Sequence, residues 1–168
     1  FSRQFEERKT VKIYQGLLIG SVLPAEGTID QPIAESTTKR GTMLIHKRGK
    51  AAITDYQVLR DFKLYSWVQF RIHTGRTHQI RVHTKFLGNP LVGDPIYGDG
   101  RVILLSSFKN KFKLNKDTLE EKPMLSRLAL HAFQLKITDE SGSLIELEAP
   151  LYKDMKVTIM QMEKYLKR

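Results

Sequence analysis

Between residues 51 and 87 the spacing of apolar side chains changes period once, and that change restricts the fold more than any other feature of the chain. Residues 51–59 and 64–73 carry the β-formers Ile53, Tyr56, Val58, Tyr65, Trp67, Val68, Phe70 and Ile72. They predict two strands joined as a hairpin through residues 60–63. From Thr74 to Leu87 the spacing is helical, with Thr74 or Gly75 placed to open the helix and Gly88 to close it. A helical wheel puts Ile80, Val82, Phe86 and Leu87 on one arc and Thr77, His78, Arg81 and Lys85 on the opposite one. The helix is therefore expected to pack one side and present a cationic side. Its free N–H groups and positive dipole end, beside Arg76, suit a phosphate or a buried carboxylate.

The flanking segments extend the same reading. Val11, Ile13, Leu17 and Ile19 fall on one face of a strand, and Lys12 and Tyr14 on the other. Residues 24–27 read as a turn and residues 28–33 as a short edge strand closed by Pro32. Residues 35–50 form a basic loop or ribbon. Lys39, Arg40, Lys47, Arg48 and Lys50 stand there without an acid after Glu35. Residues 89–100 read as a structured loop, and residues 103–122 as a Lys-rich mobile insertion. Residues 128–137 and 144–147 are two further strands, and Asp154 caps a closing helix over 154–166. At the start, residues 2–8 read as the end of a helix already under way, so a preceding portion of the natural protein is expected. No repeat or long linker divides the chain. The expected fold class is α+β, with a mixed, mostly antiparallel sheet and a few flanking helices, in a single domain over residues 1–168.

Charge and composition narrow the partners. Twenty-eight Lys and Arg against 18 Asp and Glu leave a formal charge of +10, which attracts polyanions. Nucleic acid, an anionic membrane surface or an acidic protein fits that number equally. No cysteine is present, so disulfides, Cys-type zinc sites and thiol nucleophiles are excluded, and a reducing compartment fits. The apolar runs fall far short of the roughly 18 residues of a membrane span. His73, His78 and His83 lie five apart, a spacing that points neighbours on a helix in separated directions and argues against a metal site.

Three ordered blocks carry more than pattern. Thr74-Gly75-Arg76-Thr77-His78-Gln79-Ile80-Arg81-Val82-His83 is followed by Gly88-Asn89-Pro90-Leu91-Val92-Gly93-Asp94-Pro95-Ile96-Tyr97-Gly98 and by Arg127-Leu128-Ala129-Leu130-His131-Ala132. Together they resemble the RluA-type family of RNA pseudouridine synthases. The stretches Arg3-Gln4-Phe5 and Lys12-Ile13-Tyr14, Glu26 through Ile33, Lys50 through Tyr56, and Ala149-Pro150 also match, so the resemblance runs from about residue 3 to residue 150.

The resemblance implies isomerisation of uridine to pseudouridine in ribosomal or transfer RNA, without metal, nucleotide or redox cofactor. It implies a catalytic aspartate in an Arg-Leu-Asp segment that this chain does not contain. The chain is then expected to be the C-terminal part of a catalytic domain, inactive by itself. Tyr14 matches the tyrosine that lies against the flipped base. Arg81 matches the arginine that pairs with the aspartate. With that aspartate absent, Arg81 is expected to be unpaired, or bound to an anion or another carboxylate. Leu130 matches an aliphatic position near the base. Arg76, His78 and Gln79 belong to the same block and are expected at the substrate. Asp94 and Tyr97 are expected to cap and pack the glycine-rich loop, and His131 to be a satisfied core histidine. A cytoplasmic monomer with RNA as partner and no membrane is further expected. A non-catalytic RNA-binding module on the same scaffold is the alternative. A generic basic domain with an acidic protein partner is the third reading.

Overall fold

A computed structural model describes residues 10–114, 116 and 120–166. The helix expected over residues 2–8, the Arg3-Gln4-Phe5 match and part of the Lys-rich segment lie outside the described residues. Among the described residues, eight strands, two α-helices and one short 3-10 turn follow in the order β1 (Thr10–Ile19), β2 (Glu26–Asp30), β3 (Ile33–Glu35), β4 (Met43–Ile45), β5 (Ile53–Asp61), β6 (Tyr65–Ile72), α1 (Gln79–Phe86), the 3-10 turn (Leu105–Ser107), β7 (Leu130–Thr138), β8 (Leu144–Glu148) and α2 (Lys153–Tyr165). Six strands make one sheet in the order β2-β5-β6-β1-β7-β8, and β3 and β4 make a separate ribbon. Every strand pair is antiparallel. The protein is thus α+β with an antiparallel sheet, and the β5–β6 hairpin stands where the period-two run placed it.

Strand β1 lies at the centre and explains the two-sided core. Leu17 and Leu18 are adjacent, point to opposite faces, and are both 0% exposed. Each contributes about 1.5–3 kcal/mol by burial. Leu17 joins Tyr65, Val92, Ile103, Leu125, Met155 and Met162 beneath α2. Leu18 joins Val68, Phe70, Leu91 and, from α1, Ile80. The first half of β1, from Thr10 to Tyr14, is only half-buried. This gradient along one strand leaves Lys12 and Tyr14 at the rim of the core.

Four expectations change. The helix predicted to open at Thr74 or Gly75 starts at Gln79, after His78 in the left-handed conformation at φ 56°. Phe86, predicted to pack inward, is 53% exposed, while His83 and Thr84 are fully buried. The reason is local. The Gln79 side chain turns back to accept hydrogen bonds from the Arg76 N–H and the Thr74 hydroxyl. It thereby holds residues 74–78 as a loop and rotates the helix so that polar side chains face β5. The segment after Gly100 also differs from a purely surface insertion, because Ile103 is 0% exposed and its N–H bonds the Leu125 carbonyl. Asp154 lies in the first turn of α2 instead of at its N-cap, which is Tyr152. The outer strand β8 is exposed along its whole length.

Candidate active site

The site grows from an irregularity in β7. Ile13 pairs with Gln134 but Tyr14 pairs with Ala132, so Phe133 is an extra residue opposite β1. Such a bulge bends the strand and opens the ladder. Beside it lies a cleft of about 420 Å³, lined by Lys12, Tyr14, Ala132, Phe133, Leu147 and Glu148 among others. That volume is in the range of small-molecule sites, about 300–1,000 Å³. Tyr14 is half-buried, and its hydroxyl has no hydrogen-bond partner among the described residues. Gly16 follows on the same face. A side chain there would meet Leu91 Cδ2 at 2.8 Å and the Ala129 carbonyl oxygen at 2.9 Å, so the floor beside the phenol must be glycine. Leu130, opposite Gly16, packs against the same apolar cluster as Tyr14. Tyr14 and Leu130 thus share one surface.

The residues around the start of α1 take other positions. Gln79 is 3% exposed. Its amide donates to the Ile53 carbonyl and the Thr54 hydroxyl, each at 3.0 Å. Its carbonyl oxygen accepts from Thr74 and Arg76. All four hydrogen-bonding positions are therefore filled internally. The Thr54 hydroxyl bonds in turn to His83 Nδ1 at 2.9 Å, and His83 Nε2 donates to the Gln31 carbonyl at 2.9 Å. Burial pushes the His83 pKa down despite that carbonyl, so the ring is a neutral brace. Arg76 Nε donates to the Ala51 carbonyl at 2.8 Å, tying the loop before α1 to the residues between the basic ribbon and β5.

Arg81 has found a carboxylate inside this chain. Its Nε and Nη2 donate to Asp94 Oδ2 and Oδ1, each at 2.8 Å. The Arg81 side chain is 14% exposed and that of Asp94 0%. Asp94 also accepts from the N–H groups of Ile96 and Tyr97, the capping role expected of it. Burial opposes its ionisation, but the Arg81 guanidinium and those two N–H groups outweigh burial and hold the carboxyl below its usual value. The hydrogen bond to Asp94 raises Arg81 correspondingly. The guanidinium lies 4.9 Å from the centre of the Tyr97 ring. The Tyr97 hydroxyl accepts from the Met43 N–H at 2.9 Å and bonds His78 Nδ1 at 2.7 Å. Burial, then the neighbouring Arg81, lower the His78 pKa, so His78 too is held neutral. Of the expected site residues, Tyr14 and Leu130 come together on one surface. Arg81 and His78 join a second cluster built on Asp94 and Tyr97, Gln79 braces β5, and Arg76 holds Ala51 just ahead of that strand. Reasoning from sequence missed Lys12 as a cleft residue, although its place two residues before Tyr14 was a signal. It had no signal for Glu148, which reaches the cleft through the β7–β8 register.

An antiparallel sheet thus presents a tyrosine beside alanine in a small cleft whose charged lining residues are Lys12 and Glu148. The chain belongs to the RNA pseudouridylate synthase family, whose model matches residues 1–86. It is 36% identical over 153 residues to the ribosomal large subunit pseudouridine synthase D of Haemophilus influenzae, covering 90% of this chain and 45% of that protein. The protein of the same name from Escherichia coli K12 is 38% identical over 151 residues, with 89% and 44% covered. The solved structure of human RNA pseudouridylate synthase domain containing 1 superimposes with a TM-score of 0.67 at 28% identity, over 96% of this chain and 69% of that one. The chain spans about half the length of the curated relatives it matches.

Proposed function

We propose that the protein to which this chain belongs isomerises uridine to pseudouridine in ribosomal or transfer RNA in the cytoplasm. The observation that carries this reading is the Tyr14 phenol, without a hydrogen-bond partner among the described residues, beside Ala132 in a cleft of suitable size and on the same face as Gly16 and Leu130. Family membership and the names of the relatives support it.

In the reaction the N1–C1′ bond of uridine breaks and a C5–C1′ bond forms. The proton on C5 leaves, and N1 gains one. The target uridine leaves its stack first, at a cost of a few kcal/mol that RNA binding must offset. Tyr14 lies against the turned-out base and assists the proton movement from C5, while Leu130 packs against the base. Within this chain Arg81 has Nε and Nη2 on Asp94 and so holds the glycine-rich loop. The reactive carboxylate belongs to an Arg-Leu-Asp segment, which residues 1–168 do not contain. We place it on the part of the protein beyond this chain, and the chain alone is then inactive.

The test uses the full-length protein and RNA tritiated at uridine C5, since isomerisation releases that label to water. Release without added cofactor is expected. Tyr14→Phe should slow it by about 10²–10⁴-fold, the span of general acid–base assistance, with RNA affinity retained. Binding without any release by the full-length protein would replace this reading with the non-catalytic RNA-binding module.

A further inference from the structure

His131 belongs neither to the cluster around Asp94 nor to the brace on β5. It is 5% exposed and immediately precedes Ala132, the residue paired with Tyr14. The ordinary outcome for such a residue is a histidine satisfied within the core, and this one is satisfied by a particular carbonyl. Its Nε2 lies 2.8 Å from the Ala149 carbonyl oxygen. A carbonyl only accepts, so Nε2 carries the proton and donates it to the bond. Ala149 in turn donates its N–H to the Phe133 carbonyl at 2.8 Å, and Phe133 is the extra residue of the bulge that opens the cleft. The next residue on that side is Pro150, which has no N–H to continue the ladder. The imidazole takes over where the backbone ladder stops.

The junction it fastens has little else to hold it. Phe133 and Glu148 line the cleft. Toward α2, on the face of Gln15, the same two residues line a second hollow of about 480 Å³ with Trp67, Leu151 and Met160. A wall with open space on both sides lacks the contacts that fix a packed side chain. Strand β8 is exposed along its whole length, and the Glu148 carboxylate has no hydrogen bond or ion pair among the described residues. Directional bonds must therefore set where the wall stands. The imidazole is itself held. Its ring meets Tyr152 edge-on at 5.0 Å. Tyr152 lies under the Arg127 guanidinium at 5.2 Å, and Arg127 is paired with Asp154 in the first turn of α2.

We propose that His131 is a positioning residue for the isomerisation: its Nε2–H holds the end of β8 against the Phe133 bulge and so fixes the cleft wall beside Tyr14. This rests on the proposed conversion of uridine and gives a task in it to a residue that touches no substrate. Ala149 is exposed, so water can take over its carbonyl when the donor is removed, and the loss falls on position more than on folding. A misplacement of about 1 Å caused away from the chemistry can cost about 10²-fold in rate.

The test compares two variants of the full-length protein. His131→Phe keeps a ring against Tyr152 but cannot donate, and His131→Gln returns an N–H donor. Tritium release from C5-labelled RNA gives kcat and KM, hydrogen exchange reads the Ala149 amide, and a melting curve checks the fold. His131→Phe should lower kcat by about 10–10²-fold with KM for the RNA held, and should speed exchange at Ala149. His131→Gln should recover most of both. Tyr152→Ala, at a position 64% exposed, loosens the imidazole from outside the core and should lower kcat several-fold. Wild-type kcat and exchange in His131→Phe overturn the proposal. So does an equal loss in both His131 variants, since the donor would then not matter. A raised KM at constant kcat overturns it in favour of a role in RNA binding. Should His131→Phe not fold, wild-type kcat in Tyr152→Ala or lost kcat in His131→Gln overturns it. Wild-type protein that binds the RNA without releasing tritium overturns the isomerisation itself, and the positioning role with it.

Discussion

The protein builds the same device twice. Arg81 clasps Asp94 through Nε and Nη2, and Arg127 clasps Asp154 through the same two atoms at 2.7 and 2.8 Å. Each guanidinium lies over a tyrosine ring, Tyr97 at 4.9 Å and Tyr152 at 5.2 Å. Each aspartate also accepts a backbone N–H, from Ile96 and Tyr97 in one case and from Met155 in the other. The larger difference is in the surroundings. The side chains of the first pair are 14% and 0% exposed, and those of the second 38% and 35%. Identical chemistry then has unequal consequences. Water competes for and screens the second pair, whereas removing one partner of the first leaves a charge that water reaches poorly.

The comparison breaks most visibly at Asp94. Asp94→Ala strands the Arg81 guanidinium and frees two N–H groups, and the loss should be about 3–5 kcal/mol in a urea titration. A loss no larger than that of Asp154→Ala would show that burial does not separate the two pairs. Acid gives a second handle. The folded-state pKa of Asp94 lies below its ordinary value, so the unfolded chain takes up the proton first as pH falls. Its contribution is complete above the unfolded value of about 3.9 and drains away as pH drops through the folded one. Wild-type stability should therefore decline below about pH 4, and Asp94→Asn should flatten that decline. An unchanged slope in the variant would remove Asp94 from the acid response.

The remaining predictions concern the exposed pair. Asp154→Ala should cost about 0.2–1 kcal/mol, the usual range for ion pairs in contact with solvent. Thermal melts can compare it directly with Asp94→Ala. Smallest of all is the salt effect. Raising KCl from about 0.1 to 1 M shortens the screening length from about 10 to 3 Å. A double-mutant cycle should then show the Arg127–Asp154 coupling fading while the Arg81–Asp94 coupling persists. Equal fading of both would mean that the inner pair is wetter than its burial indicates.

How far the sequence could be read depended on the range of the forces involved. The β5–β6 hairpin was legible because alternation and β-branched residues act within a few positions. The start of α1 was not, because Gln79 takes its partners from Ile53 and Thr54 on β5. Phe86 satisfied the wheel but points outward, since a wheel shows which side is apolar and not which side is covered. At the site, the face of Tyr14 followed from strand parity. The partner of Arg81 did not, because Asp94 read as a loop cap and nothing local distinguishes a cap from a cap that also holds a guanidinium.

By itself, then, the order of residues determined the strand-rich α+β class, the kinship carried by three motif blocks, and the side of β1 on which Tyr14 stands. Those properties rest on period, turn chemistry and residue identity, which are written locally. The tertiary structure alone decided that a bulge at Phe133 opens the cleft, that Glu148 reaches it, and that Asp94 rather than solvent receives Arg81. Each of these depends on which distant segments meet and how much water they exclude, and burial is a property of the packed whole.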